Sequence, residues 1–327
     1  MSAVSSVATR RLVPENKLSP AVELSNSKSF FHRLPKRAFF ILVGILIVIA
    51  IGLGVGLGVG LSNESNSESP GSPPPTVPPN NTTNQGTFWT PTAGTSWDIV
   101  LLNPIRSWSR NISIYDIDLF DNNASAIADL HAQDHKVICY FSAGSYEEWR
   151  SDAGDFSKKD YANALEGWKG EYWLDTNSNN VRNIMRKRIA LAASKGCDGV
   201  DPDNVDGYDN NSGFHLDRSS AVDYLTFLAS ESHSHNMSIG LKNSGSIVNA
   251  TIDMMQWAVN EQCVEFEECG VFQPFIAAGK PVFHIEYPKS APSVAPEIRS
   301  QICSGTSTSG FSTLIKEMDL GEWVEHC

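Results

Sequence analysis

The chain has 327 residues, 41% of them hydrophobic, and a formal net charge of −12. That length leaves room for one large core, such as a single barrel domain of about 240 residues. The charge is uneven: residues 1–37 hold 7 Lys/Arg and 2 Asp/Glu, leaving 18 basic against 35 acidic residues beyond them, a net of −17. So acidic a domain excludes nucleic acid as a partner and suits a cationic one, although an acidic surface also serves solubility alone.

Residues 1–37 are Ser-rich, basic and without hydrophobic period, which predicts a disordered cytoplasmic tail. Residues 38–61 then run for 24 positions without a charge, long enough at about 1.5 Å per residue to cross a hydrocarbon core of about 30 Å as a signal-anchor helix. A cleaved signal peptide is the competing reading. Against it stand the long basic lead and the lack of a small-x-small cleavage site. Positive charge before the span and Glu64 and Glu68 after it predict a single-pass type II protein with its main domain outside the cell. Gly52, Gly56 and Gly60 have the spacing of small-residue helix contacts, so a weak helix dimer is one expectation and a lipid-inert span the other. Residues 62–86, rich in Ser, Pro and Asn, read as an extended stalk. N-x-S/T sequons begin at Asn63, Asn80, Asn81, Asn111, Asn123, Asn210, Asn236 and Asn249, as suits a glycosylated external domain.

From residue 87 onward short β-branched runs alternate with helical stretches. Strands are predicted at 112–118, 136–142, 171–175, 198–203, 237–242, 256–261, 281–286 and 311–316, with helices at 124–133, 179–195 and 219–235 among the intervals. Eight such alternations predict a (β/α)8 TIM barrel over residues 87–327. A ninth strand candidate, 97–102, has no helix after it and is expected to cover the barrel floor or pair at an edge. Six cysteines in an external chain predict disulfides, with Cys263–Cys269 and Cys303–Cys327 as guesses at the pairing. No Cys/His spacing of a zinc site occurs, and neither a metal nor a cofactor is expected.

In such barrels the reactive groups lie at the carboxyl ends of the strands. Here those ends carry Asp116 and Asp118, Tyr140 and Ser142, Asp175, Asp201 and Asp203, Lys242 and Asn243, Asn260 and Glu261, Glu286 and Tyr287, and Lys316 and Glu317. The densest stretch is C-D-G-V-D-P-D-N-V-D-G-Y at 197–208, where alternation puts Asp201 and Asp203 on one face and Val200 on the other, with Asp206 in the turn beyond. A ring of carboxylates suits a glycosidase, which needs one acid and one carboxylate across the scissile bond; a divalent-metal site is the rival. Tyr140, Tyr146, Trp149, Trp168, Tyr172, Trp173 and Tyr208 flank these ends and suit the apolar faces of sugars, though core packing explains each as well. His284 is expected to be a satisfied core histidine.

Five ordered segments carry a resemblance: K-V-I-C-Y-F-S-A-G-S-Y-E-E-W-R (136–150), the D-G-V-D-P-D-N-V-D-G-Y run, S-I-G-L-K-N (238–243), V-N-E-Q-C (259–263) and A-G-K-P-V-F-H-I-E-Y (278–287). Together they resemble glycoside hydrolase family 114, the endo-α-1,4-polygalactosaminidases, and most closely its membrane-anchored fungal members. The resemblance implies a TIM-barrel hydrolase that cuts internal α-1,4 bonds between galactosamine residues, with Asp203 and Glu261 as the catalytic pair. A free galactosamine amine is partly cationic near neutral pH, so surplus acids at the mouth suit it. Asp118, Asp201 and Glu286 are therefore the expected amine-recognition residues, with Tyr140 and Asn243 as hydrogen-bonding neighbours and Asp175, Asp206 and Lys242 as further substrate contacts. Asp203, among turn amides, is expected to be the nucleophile. Glu261, behind apolar Trp257 and Val259, is expected to have a raised pKa and to be the acid. The alternative reading is a non-catalytic cell-surface carbohydrate-binding protein on a barrel scaffold.

Overall fold

Eight strands of the predicted kind pair side by side and in parallel. In the computed structural model, which describes residues 88–327, β1 (Trp97–Val100), β2 (Ile114–Asp118), β3 (Lys136–Ser142), β7 (Gly199–Asp203), β8 (Ser238–Lys242), β9 (Trp257–Glu261), β10 (Val282–Glu286) and β11 (Ser312–Lys316) follow one another in that order. A short antiparallel strand, β12 (Val324–His326), adds to β11 and completes a barrel-like, mostly parallel sheet of nine strands. Helices α1 (Ala124–His131), α2 (Asn179–Lys195), α3 (Arg218–Ser234), α4 (Val248–Thr251), α5 (Gln273–Ala277) and α6 (Pro296–Cys303) lie in the crossovers. Their starts and stops are local chemistry. Ser178 caps α2, Asp217 and Ser220 form a capping box on α3, and Gly196 ends α2 at φ 92°. The expectations for residues 1–37, 38–61 and 62–86 lie outside the described residues, among which no helix is long and apolar enough to cross a membrane.

One expected strand is confirmed and one is corrected. The segment at 97–102, expected to cover the floor or pair at an edge, is β1, which pairs at the edge of the sheet, in parallel with β2 from Trp97↔Ile114 to Val100↔Ile117. The segment at 171–175, expected as a barrel strand, is β6 (Glu171–Leu174) of a separate antiparallel sheet with β4 (Ser145–Glu147) and β5 (Tyr161–Ala164), inserted between β3 and α2. Its Tyr-Trp content carries a strand signal, but period 2 does not say which sheet a strand joins. Because one strand is gained and one lost before residue 199, β7 and β9 still hold the fourth and sixth places in the parallel order.

Alternation along the strands sorts the core into two layers. Tyr115, Ile117, Val137, Cys139, Phe141, Val200, Ile239, Leu241 and Val282 belong to the layer beneath the helices. Trp97, Ile99, Ile114, Ile138, Trp257, Val259, Phe283, Ile285 and Leu314 form the other, which fills the barrel. β1 and β11 are brought together by side chains: Lys316 meets Asp98 at 3.1 Å, both buried, and the Trp97 indole donates to Ser312 O at 2.8 Å. The guessed disulfides Cys263–Cys269 and Cys303–Cys327 are present, and a third, Cys139–Cys197, ties β3 to the segment that enters β7.

Trp257 reaches across the floor of the barrel because its neighbours have no side chains. A Cβ on Gly199 would come within 2.6 Å of the indole, and one on Gly240 would overlap its Nε1 edge. Gly240→Ala is therefore expected to destabilise the domain by about 1–3 kcal/mol through overpacking, measured by chemical denaturation, whereas Gly154→Ala, which meets open space, should cost far less.

Candidate active site

Parallel strands end on one side, and the alternation that buries Gly199, Ser238 and Trp257 low in the barrel raises Asp203, Lys242 and Glu261 at its mouth. β7, β8 and β9 are neighbours, so Lys242 stands between the two acids. Its Nζ is 3.1 Å from Asp203 Oδ1 and 3.1 Å from Glu261 Oε2. The lysine side chain is 2% exposed and the two carboxylates 15% and 22%, so the acids face outward and the ammonium lies beneath them.

Each carboxylate has further donors. Asp203 accepts from the Tyr140 hydroxyl at 2.9 Å and from the Asn204 N–H at 2.7 Å. Glu261 accepts from the Tyr287 hydroxyl at 2.5 Å and from Asn243 Nδ2 at 3.0 Å, while its own N–H donates to Asn243 Oδ1. The residues that follow the three strand ends, Asn204, Asn243 and Gln262, all have left-handed backbone, at φ 60°, 48° and 61°. Asn tolerates that region better than most residues, and the sharp turn leaves the preceding side chain aimed at the mouth. Close contact holds the first of these turns: Ala143 and Gly144 donate their N–H groups to Asp203 O, and a Cβ on Gly144 would overlap the Asn204 carbonyl.

Electrostatics revise one expectation. Burial pushes the Glu261 carboxyl up, as the apolar approach predicts, but the Lys242 charge and the bonds from Tyr287, Asn243 and Lys242 outweigh it and hold the group below its ordinary value. Glu261 is thus not a preloaded acid. Burial alone would pull the Lys242 ammonium down; the charges of Asp203, Glu261 and Asp201 lift it well above its usual range. Beneath it, Asp116 and Asp201 are completely buried, and their four oxygens have no hydrogen-bond partner. Burial and mutual repulsion raise Asp116 well above its ordinary value, and burial, Asp203 and Glu261 push Asp201 up to about 7.

Several predicted substrate contacts are engaged elsewhere. Asp201 is sealed under Lys242, and Lys242 itself is occupied by the two carboxylates. Asp118 is 1% exposed and held by Arg150 at 2.7 Å and by the N–H groups of Phe120 and Asp121. Glu286 shares a face with His284, as expected, but by alternation that face is opposite to Phe283 and Ile285; it accepts from His284 at 2.8 Å and from the Val264 N–H at 2.7 Å. His284, fully buried with Thr313 as its second partner, is a satisfied core histidine. Asp175 follows the inserted β6 rather than a barrel strand and accepts from the Asn177 N–H. Tyr140 and Asn243 do reach the pair. Asp206, partly exposed, lies where burial and the Asp203 charge push its carboxyl up to about 6. Tyr287 was missed as a site residue, although its parity with Phe283 and Ile285 points it inward. Among the described residues the one grouping with metal-ligand spacing is Cys263, Cys269 and His284, and its two sulfurs are joined as a disulfide.

The buried acid pair makes a stability prediction. Groups whose folded pKa values are raised stabilise the protein most below their unfolded values near 4, and that contribution is lost as pH rises through the folded values. The Tm is expected to fall as pH rises from about 4 towards about 7, and Asp201→Asn, which removes one of the two acids, should flatten that part of the curve in differential scanning calorimetry.

Among solved structures, Aspergillus fumigatus Ega3 in complex with galactosamine is 50% identical, with 73% of this chain and 97% of that one covered, at a TM-score of 0.71. The glycoside hydrolase domain of PelA from Pseudomonas aeruginosa, 12% identical over 70% of this chain and 97% of its own at a TM-score of 0.53, shares the fold. No curated protein sequence matches. The profile described as glycoside-hydrolase family GH114 matches residues 78–327, the whole barrel and every residue of the mouth, and the chain belongs to that family.

Proposed function

We propose that this protein is an endo-acting hydrolase of α-1,4-linked galactosamine polymers, working on a (β/α)8 barrel with Asp203 and Glu261 as its catalytic pair and without a cofactor. The observation that carries this reading is the Asp203–Lys242–Glu261 arrangement: two partly exposed carboxylates on one buried cation. The galactosamine held by a structure of 50% identity supports the sugar class. The two bonded oxygens each lie 3.1 Å from Nζ, so they are no more than twice that distance apart. Inverting glycosidases need about 6.5–9.5 Å to admit a water, whereas retaining ones hold the pair near 5–5.5 Å.

So short a spacing of the nearest oxygens favours a double displacement. Asp203 attacks the anomeric carbon while Glu261 gives a proton to the leaving glycosidic oxygen; a water, relieved of its proton by Glu261, later frees the sugar with its α configuration kept. Because Glu261 is held below its ordinary value at rest, the resting enzyme takes up that proton to enter the cycle, and the proton taken from water returns Glu261 to its acid form. Of the acids expected to contact substrate, Asp206 has the accessible position beside Asp203, which makes it the candidate for the sugar amine in place of Asp118, Asp201 and Glu286, and a cationic sugar there would favour its ionised form.

The cellular setting is inferred from the sequence alone. Residues 38–61 anchor the chain as a type II protein, and residues 62–86 hold the barrel away from the outer surface. Protease added to intact cells should release a glycosylated fragment of roughly 30 kDa by residue count, and a protected barrel would reverse the orientation.

Asp203→Asn and Glu261→Gln are each expected to lower kcat on galactosamine polymer by at least about a thousandfold while keeping the wild-type fold by circular dichroism. Mass spectrometry of the products should show internal cuts, and NMR of the first product an α-anomer. A β-anomer, or full activity in either variant, would refute the pair as assigned. Retained polymer binding without any wild-type cleavage would instead favour a binding protein.

A further inference from the structure

The ammonium of Lys242 is a group that the double displacement does not itself use. It lies at equal distance, 3.1 Å, from both members of the pair, with a side chain 2% exposed. Its position is fixed from several sides: the Tyr140 ring lies 5.6 Å from Nζ, and the fully buried carboxyls of Asp116 and Asp201 face it from below. A buried lysine with two carboxylates above it and an acid pair beneath it has no room for a substrate contact. Two carboxylates this close without a cation repel one another, and one of them would take up a proton.

We propose, resting on the catalytic roles given above to Asp203 and Glu261, that Lys242 is a positioning residue: it sets the spacing of the two carboxylates and fixes the pH at which Glu261 becomes a proton donor. The neighbouring titratable groups are few. Asp116 comes from β2, Tyr140 from β3, Glu147 and Glu171 from β4 and β6 of the inserted sheet, Asp201 and Asp203 from β7, Asp206 from the loop after it, and Tyr287 from the end of β10. The remaining buried charges of adjoining strands are paired away from the site, Asp98 with Lys316, Asp118 with Arg150 and Glu286 with His284. Among these groups Lys242 is the cation.

The sign follows from that. The Lys242 charge and hydrogen bond both lower the proton affinity of Glu261, so an uncharged side chain in its place makes Glu261 easier to protonate. The acid form would then persist to higher pH, even as the loss of spacing slows the attack by Asp203. A residue that merely packed the mouth would slow the reaction without moving its pH dependence.

The test uses the full-length protein with 13C-labelled glutamate carboxyls, the Glu261 signal being assigned by its absence in Glu261→Gln. Wild-type Glu261 is expected to titrate below the ordinary glutamate value of about 4.3. In Lys242→Met its midpoint should rise by about one pH unit or more, and in Lys242→Arg, which keeps the charge, it should stay near the wild-type value. On galactosamine polymer, Lys242→Met should lower kcat at least about tenfold with KM within about threefold, and the decline of kcat/KM with rising pH should move upward by as much as the NMR midpoint. An unmoved midpoint, or lost activity with an unmoved profile, overturns the proposal. If Lys242→Met does not fold, the wild-type titration decides, since a Glu261 midpoint at or above the ordinary value also overturns it. The titration needs no substrate: if the midpoint moves as stated but the polymer is not cut, the substrate reading fails and the role of Lys242 stands.

Discussion

The mouth of the barrel is organised around one ammonium group. Taking Lys242 and two carboxylates out of water costs each of them solvation, and the arrangement holds only because the charges offset one another at hydrogen-bonding distance. The tyrosines on either side extend the same logic, since Tyr140 and Tyr287 each spend a hydroxyl proton on one carboxylate and keep their own ionisation well above the usual range. The pattern is close to symmetric, one tyrosine and one asparagine per acid with the lysine shared, which leaves an outer edge of each carboxylate to face a substrate.

Holding such a cluster requires a rigid frame, and the frame is built from ordinary parts. Trp257 and its glycine neighbours close the floor, so that the polar layer rests on a packed apolar one. The Cys139–Cys197 bridge fixes β3 against the entry to β7, the strand that carries Asp201 and Asp203. Beyond Glu261 the Cys263–Cys269 bridge closes a short loop, and the Val264 N–H anchors that loop on Glu286. Glu286 and His284 thus support the site from the opposite face of β10.

The inserted sheet of β4, β5 and β6 carries much of the aromatic surface, with Tyr146 stacked on Tyr161 at 4.2 Å and Tyr172 tilted against both. Glu171 on β6 is pushed up to about 8, mainly by burial and then by Glu147, and accepts from Ser145, whose hydroxyl contacts Ser142 and Asn204. A polar chain therefore runs from this insertion to the turn that holds Asp203. Part of the acidity visible in the composition is thus spent inside the protein, on Arg150, Arg188, Lys242 and Lys316, and less of it reaches the mouth than a count of strand-end acids implies.

Alternation and strand-end position are local properties, and they were enough to place Asp203, Lys242, Asn243 and Glu261 at one mouth and to put Asp201 on the same face as Asp203. The strand at 136–142 was legible to the residue, and the others to within two, because β-branched runs bounded by turn residues leave little choice. The five ordered segments identified the family before any contact was known. What depended on the fold was partnership. Sequence does not tell that 97–100 pairs with 114–117 while 171–174 leaves the barrel, because both carry the same strand signal and differ only in their neighbours. Nor does it tell that Asp118 meets Arg150, that Glu286 lies behind its strand, or that Lys242 serves two carboxylates rather than a sugar. Glu261 shows the reason most directly: its apolar approach, readable along the strand, pushes its carboxyl up, while the Lys242, Asn243 and Tyr287 donors that win arrive from two other strands and are set only when the sheet is assembled.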